Sequence, residues 1–406
     1  MTKKVKLAYL VSHPIQYQAP LLRRIAQEPD IDLTVFFGSD FSVRGYKDEG
    51  FGVEVKWDVP LLEGYRHEFL PVLRDGTKVT VTTPLNYGIF SHLRGRNGEA
   101  PFDVLWSHGY GTVNALQAML AAKALGIPVL VRGDMWLGNR PRSASKLLLK
   151  KMFFQILRNL VDGVLSAGTL NTEYWRHYLG DDFPIFLMPY AVDNDYFQQQ
   201  AIEARTRRAE LLQELNLDAG RPIILFASKL RRQKNTHDLV DAYKNLIDGW
   251  TDGPPPYLLI VGDGEERAAL EEQVRVNGLT DVHFCGFRNQ SELPAFFDIS
   301  TVFVLPARHE AWGLIVNEVM NAARPVIISD DLGCQPDLVT NGVEGYVFPV
   351  GNVDALTQAL RQILATPETA EEAGRRALEK IRTWSFEENV HGLRQALAQL
   401  TGKITA

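Results

Sequence analysis

Short apolar runs alternate with stretches of helical length along almost the whole chain. In the first half, residues 5–11, 31–37, 103–107, 128–132, 163–166 and 185–188 read as buried strands, with helices expected at 19–27, 112–125, 144–161 and 171–178. The second half repeats the pattern, with strands expected at 222–227, 257–261, 282–284, 301–305, 325–328 and 345–348 and helices at 237–248, 265–277 and 314–323 among them. Near-continuous apolar strands separated by helices imply parallel sheets covered on both faces. The expected class is α/β: two doubly wound, Rossmann-like domains facing each other across a cleft, with ligands at the carboxyl ends of the strands. The first domain is expected over 1–195 and the second over 196–383. Residues 384–406, mostly a helix at 387–400, are expected to fold back on the first domain. The stretch 38–100, rich in Gly and aromatics, breaks the alternation; at that length it points to functional loops.

Composition narrows the function classes. At 406 residues the chain exceeds an ordinary single core, and its 45% apolar and 23% charged residues are those of a soluble globular protein. A formal charge of −6 and the absence of a basic run argue against a nucleic-acid partner. The two cysteines, Cys285 and Cys334, fit a reducing compartment and exclude a disulfide framework or a cysteine zinc site. No apolar run approaches membrane-spanning length, and Met1-Thr-Lys-Lys leads into a strand without the features of a signal peptide. A cytoplasmic location is expected, with attachment to the inner membrane face left open.

The densest chemistry lies in 307–338, ARHEAWGLIVNEVMNAARPVIISDDLGCQPDL, which reads as the loop, helix and strand that follow the strand at 301–305. Glu310 falls in the loop and Glu318 in the helix. Gly313 stands at the first helical turn, so the N–H groups of Gly313, Leu314 and Ile315 point out of the strand ends, where a phosphate is welcome. Helical side chains lean toward the helix N-terminus, so Glu318 reaches toward the same spot from behind. Two carboxylates around an anion cradle suit a nucleotide sugar, with the phosphate in the middle and a diol at each end.

This stretch resembles the E-x7-E signature of the retaining glycosyltransferases of family 4, which have the GT-B fold. The resemblance rests on Glu310-Ala-Trp-Gly313-Leu-Ile-Val-Asn-Glu318, then Arg324-Pro-Val-Ile, then Gly333-Cys-Gln-Pro-Asp337. Ala311 and Trp312 replace the usual Gly-Phe, and Arg324 stands where a glycine is common. These departures bear on the sugar pocket, and Trp312 with the 38–100 loops is expected to decide base, sugar and acceptor. The resemblance implies transfer of a sugar with retention of configuration, from a nucleotide-diphosphate sugar to an acceptor hydroxyl, in glycan, glycolipid or natural-product synthesis. It implies no bound metal and no cofactor beyond that co-substrate. Glu310 would hold sugar hydroxyls and Glu318 the ribose. Ser228-Lys229-Leu and Lys234 resemble the family's G-R-L-x-x-x-K-G element, so both lysines are assigned to the diphosphate, with Lys234 and Glu310 counted as catalytic. Gly262, in a V-G-x-G turn, would leave backbone room beneath the nucleotide, and Arg288 would border the base or sit solvated on the surface.

In the first half, His108 stands where relatives often carry a histidine facing the reacting sugar, and is counted with the catalytic group. Residues 12–17 replace a Gly-rich first loop, so His13, Gln16 and Tyr17 become candidates for the acceptor, as does Asp134 after a later strand. The segment 189–197 looks like the family's hinge, and Asp193-Asn-Asp195 is read there as a hinge turn and not as a metal pair. The basic, amphipathic stretch 146–158 is read as a crossover helix with its lysines outward. The alternative is a rest on an anionic membrane, which suits a lipid-linked acceptor. Two other classes stay open on such a fold: a nucleotide-sugar 2-epimerase and a non-catalytic nucleotide-sugar binding protein.

Overall fold

The computed structural model of the chain describes residues 4–48, 50–95, 99–140, 143–251 and 253–405; the first three residues of the Met1-Thr-Lys-Lys lead lie outside these. The chain divides into two compact units, one formed by 1–46, 59–190 and 386–406 and the other by 47–58 and 191–385. The segment 47–58 therefore belongs to the second unit, although it lies in the sequence of the first half.

The first unit holds seven parallel strands, β1 Val5–Val11, β2 Ile31–Phe37, β3 Arg66–Phe69, β4 Val104–His108, β5 Val129–Gly133, β6 Gly163–Ser166 and β7 Ile185–Leu187, in the order β7-β6-β5-β4-β1-β2-β3. Its sheet is covered on both faces. One face packs Val129, Val131, Phe154, Leu157, Tyr174 and Trp175, and the other packs Tyr9, Trp106, Leu130 and Leu165 against Val390, Leu393 and Leu397. Burial on both faces is why these strands read as nearly unbroken apolar runs. β3 is the exception. Arg-His-Glu-Phe is a half-exposed edge strand ordered by backbone pairing to β2, so it carries no apolar run and the stretch 38–100 reads as irregular without it.

The second unit holds six parallel strands, β8 Ile223–Ala227, β9 Tyr257–Val261, β10 Val282–Gly286, β11 Val302–Leu305, β12 Val326–Ser329 and β13 Gly345–Phe348, in the order β10-β9-β8-β11-β12-β13. Each sheet has one point where the strand order turns back: between β1 and β4 in the first unit and between β8 and β11 in the second. Loops leaving the carboxyl ends of such a pair diverge to opposite faces and open a crevice. These two points place the candidate residues described below.

Asp193 stands just after the boundary between the two units. It caps the helix Asn194–Thr206 of the second unit, its carboxylate accepting the Tyr196 N–H at 3.0 Å. The helix Ala144–Leu160 departs from expectation: Leu147, Leu148, Leu149, Met152 and Ile156 lie on the outside, while Lys150 turns inward over the rings of Tyr174 and Tyr178.

The terminal helix Phe386–Thr401 lies on the first unit's sheet, with Arg394 bridging to Glu28 and Asp30 and Glu387 to Arg24. Gly392 allows the contact, because a Cβ there would stand 1.8 Å from the Leu187 carbonyl oxygen. Gly392→Ala is therefore expected to push the helix off β7 and lower stability by about 1–3 kcal/mol, as overpacking does. Leu393→Ala, fully buried in the same contact, is expected to cost about 2–5 kcal/mol. Urea unfolding midpoints of both variants check this; parent-like midpoints would mean that the helix contributes little to the first unit.

Candidate active site

In the second unit the switch point brings two loops together. After β11 the chain runs through Pro306 to Gly313 and enters the helix Leu314–Asn321. The backbone of Glu310 is pinned on both sides: its N–H donates to the Asp331 carbonyl at 3.1 Å and its carbonyl accepts from Gly333 at 3.1 Å. Gly333 has no alternative, since a Cβ there would lie 1.8 Å from the Ala311 oxygen. After β8 the turn containing Lys234 is tied to the same loop, the Arg308 N–H donating to the Gln233 carbonyl at 2.7 Å. Lys234 Nζ meets Glu310 Oε2 at 2.5 Å, with both side chains partly shielded from solvent. Lys234 and Glu310 thus form one ion pair across the β8–β11 crevice.

Gly313 caps the helix in the left-handed region at φ +95°, a conformation that strains any other residue. Among the described residues the N–H groups of Gly313, Leu314 and Ile315 donate to no carbonyl, and the first return bond of the turn comes from Val316. An open row of donors at a helix start attracts anions. One turn further on, Glu318 is half-buried and has no hydrogen-bond or ion-pair partner among the described residues. Burial pushes its carboxyl up to about 8.

Lys229 is also engaged. Its Nζ lies 2.9 and 2.8 Å from the two oxygens of Asp48 and 4.7 Å from the centre of the Phe51 ring. Asp48 is buried and further held by the N–H groups of Gly50 and Phe51 at 2.8 and 3.0 Å. Burial raises its carboxyl, but the Lys229 hydrogen bond and charge outweigh that and hold it below the usual range. The Phe51 ring meets Phe287 edge-on at 4.7 Å. Segment 47–58 therefore lies over the turns after β8 and β10. In the sequence Asp48 carries one local signal, the Asp-x-Gly pattern of a side-chain-capped turn.

Four other positions are engaged within the second unit. A Cβ on Gly262 would stand 1.9 Å from the Ser228 oxygen, so that glycine makes room for the chain's own backbone. Arg288 is partly exposed and engaged: it donates to the Cys285 carbonyl, pairs with Glu292 at 3.1 Å and lies over Phe296. Trp312, expected to bear on the sugar pocket, lies inside the fold. It is 4% exposed, donates to Asn317 at 2.9 Å and stacks on Trp384. Arg324 joins Arg205 and Arg208 on the buried Asp298, beyond the far end of the same helix.

In the first unit the β1–β4 switch point gathers a second group. His108 ends β4, and both of its ring nitrogens lie within 3.0 Å of the Gln18 amide nitrogen. Gln18 in turn accepts from the Tyr9 hydroxyl at 2.6 Å. Gln18 is the residue that orients His108, and nothing in its sequence context marked it. Burial, then the charges of Arg132 and His13, lower His108 to about 3, so its imidazole is neutral near pH 7. His13 is lowered to about 4 by burial and packs on Phe41 at 4.4 Å. The hydroxyls of Tyr17 and Tyr190 are 2.7 Å apart; burial, then the Asp134 charge, raise Tyr17 to about 12. Asp134 and Gln16 are half-buried nearby in the chain. Among the described residues no group of three or more His, Cys, Asp or Glu is placed to hold a metal ion, and no helix is long and apolar enough to cross a membrane.

Two parallel-sheet Rossmann-like units, each with its polar residues at a strand-order switch, define the architecture of the GT-B glycosyltransferases. Residues 207–380 match the family described as glycosyl transferases group 1. A 2-deoxystreptamine glucosyltransferase from Streptomyces kanamyceticus is 31% identical over 276 residues, 66% of this chain and 69% of that protein. The chain belongs to the group 1 glycosyltransferases. An alpha-D-kanosaminyltransferase from the same organism is 31% identical over 179 residues, 44% of this chain and 45% of that one. The glucosyltransferase apart, the chain spans about half or less of the curated relatives it matches. Among solved structures, Anabaena HepE in complex with UDP and glucose superposes with a TM-score of 0.69 at 16% identity, over 97% of this chain and 100% of that one, a likeness of fold.

The raised Glu318 carboxyl has a consequence for stability. A carboxyl ordinarily titrates near about 4.3 in an unfolded chain. With a folded value of about 8, the folded state holds the extra proton between those limits, so this contribution is present at low pH and lost as pH rises toward 8. Glu318→Gln removes the loss. Thermal melts of both proteins at pH 5, 6.5 and 8 are expected to show the variant gaining on the parent as pH rises; parallel melting temperatures would place Glu318 in water.

Proposed function

We propose that the chain is a retaining, metal-independent glycosyltransferase of family 4 that moves a sugar from a nucleotide-diphosphate sugar to an acceptor hydroxyl. The observation that carries this reading is the unpartnered Glu318 behind the open N–H groups of Gly313, Leu314 and Ile315. A diphosphate seats at those N–H groups, a ribose diol supplies the donors that Glu318 lacks, and Glu310 with Lys234 falls on the sugar side. The sugar–phosphate C–O bond breaks with its electron pair leaving on the phosphate. Lys234, Lys229 and the helix N–H groups stabilise that charge, and each well-aimed donor contributes roughly 3 kcal/mol. The acceptor oxygen attacks the same sugar face, and its proton passes to the departing phosphate oxygen. The first unit's His108, His13, Gln16, Tyr17 and Asp134 are assigned to the acceptor; a neutral His108 offers a hydrogen bond and not a charge. The glucosyl- and kanosaminyltransferase relatives support sugar transfer, and HepE with UDP and glucose supports a uridine diphosphate sugar as donor.

Glu310→Gln tests the reading. The amide keeps the shape and the loop, and removes the charge that orients the sugar and favours a cationic anomeric carbon. Because Lys234 loses its carboxylate partner, bare nucleoside diphosphate is expected to bind the variant at least as tightly as the parent, while sugar transfer falls roughly a hundredfold or more. Transfer near the parent rate would sink the assignment.

Asp48 supplies a second test, because in the free chain it holds the cation that the diphosphate needs. Asp48→Asn keeps the turn but frees Lys229, so calorimetry is expected to show nucleoside diphosphate binding roughly tenfold tighter. Weaker binding would mean that Asp48 positions Lys229 for the phosphate and does not compete with it.

A further inference from the structure

The helix Ala144–Leu160 is covered on its inner side by the first unit's core, through Phe154 and Leu157, both fully buried. Its outer side carries an apolar stripe, with Gln155 and Asn159 exposed beside it. Leu148, Leu149, Met152 and Ile156 are 62%, 65%, 59% and 62% exposed. Their spacing, at i, i+1, i+4 and i+8, sets them along one stripe of a helix surface. A soluble helix packed on a sheet normally turns such a stripe inward. Here the inward stripe is already complete, so the second apolar stripe has no partner among the described residues of the first unit.

Charge identifies what would cover it. The 17-residue helix contains Lys146, Lys150, Lys151 and Arg158 and no Asp or Glu, in a chain whose formal charge is −6. Lys150 lies over the Tyr174 and Tyr178 rings and Arg158 is paired with Asp182. Lys146 and Lys151 make no ion pair among the described residues, and they flank the apolar stripe. Apolar side chains at the centre with ammonium groups at the rim match a bilayer that has an acyl layer beneath anionic headgroups. A second copy fits poorly, because a two-fold contact through this stripe would bring the basic residues of both helices together with no acidic residue on either helix to offset them.

We propose that the outer stripe of Ala144–Leu160 docks the chain on an anionic lipid surface, with Leu148, Leu149, Met152 and Ile156 entering the interface and Lys146 and Lys151 at the headgroups. This docking is independent of the sugar-transfer reading, and either can fail alone.

The test is co-flotation of the full chain with vesicles of phosphatidylglycerol and phosphatidylethanolamine, compared with vesicles of phosphatidylcholine alone. Binding to the anionic vesicles is expected, reduced at least tenfold on phosphatidylcholine and similarly by high salt. Leu149→Gln with Ile156→Gln, and separately Lys146→Gln with Lys151→Gln, are each expected to lower vesicle affinity at least tenfold with melting temperatures unchanged, since all four side chains are exposed. Because the single change Leu148→Gln disturbs the fold least, it serves as the check on any variant that melts early, and a several-fold loss is expected from it. Absence of binding to the anionic vesicles overturns the proposal, as does equal binding to both vesicle types or binding that survives all the variants. A concentration-dependent dimer that the leucine and isoleucine changes dissociate overturns it too, assigning the stripe to a second copy.

Discussion

The second unit depends on the turn-back of strand order between β8 and β11. Because β9 and β10 lie on one side of β8 and β12 and β13 on the other side of β11, the loops after this central pair leave in opposite senses. Without that reversal Lys234 and Glu310, far apart in the chain, would not meet. The register of Ile224 with Val302 and Leu225 with Phe303 fixes how far the two loops protrude, and the bonds from Arg308 to Gln233 and from Glu310 to Asp331 hold them at that height. The ion pair is thus a consequence of sheet topology, with the glycine at 333 letting the loop after β12 close against the loop after β11.

Electrostatically the site pairs or neutralises its charges. Both lysines have carboxylate partners, so neither stands as an isolated cation in a partly dry crevice, a condition that is costly. Glu318 answers the same cost differently: with no cation in reach it holds its proton. The helix start carries open N–H groups without a formal charge. The first unit follows the same rule, with histidines neutral and tyrosines protonated around the buried Arg132 guanidinium. Burial selects neutral forms wherever no partner is fixed by the backbone.

The doubly wound class, most of the strands and the Glu310-to-Glu318 unit were legible in the sequence, because buried parallel strands need unbroken apolar runs and a helix start needs its glycine. Residues whose part is set by a distant partner were not. Asp48 and Lys229 are 181 positions apart, and Gln18 and His108 are 90 apart. Trp312 misled for a related reason: an aromatic within a motif says nothing of which way it turns, and Trp384 with Asn317 drew it into the core. β3 was hidden because an edge strand takes its order from its neighbour's backbone. The Ala144–Leu160 helix shows the limit of periodicity itself. Its pattern contains two apolar stripes, and only packing tells which one the sheet has taken.

These commitments order the steps by which a dianionic ligand would enter. Lys229 has two N–H groups on Asp48 and Lys234 has one on Glu310, so an incoming phosphate must compete for each with a carboxylate already in place. The open helix N–H groups require no such exchange, and Glu318 has nothing to surrender but a proton. On the proposed reading, first contact would fall to the helix start and to Glu318. Lysine engagement would follow, as rising charge on the phosphate outbids a single carboxylate. Such an arrangement would bind the ground state weakly through its cations and draw on them most as a glycosidic bond breaks, which is where stabilisation lowers a barrier and does not merely tighten binding. The pairs that quiet the free protein are in this sense the reserve that the reaction would draw on.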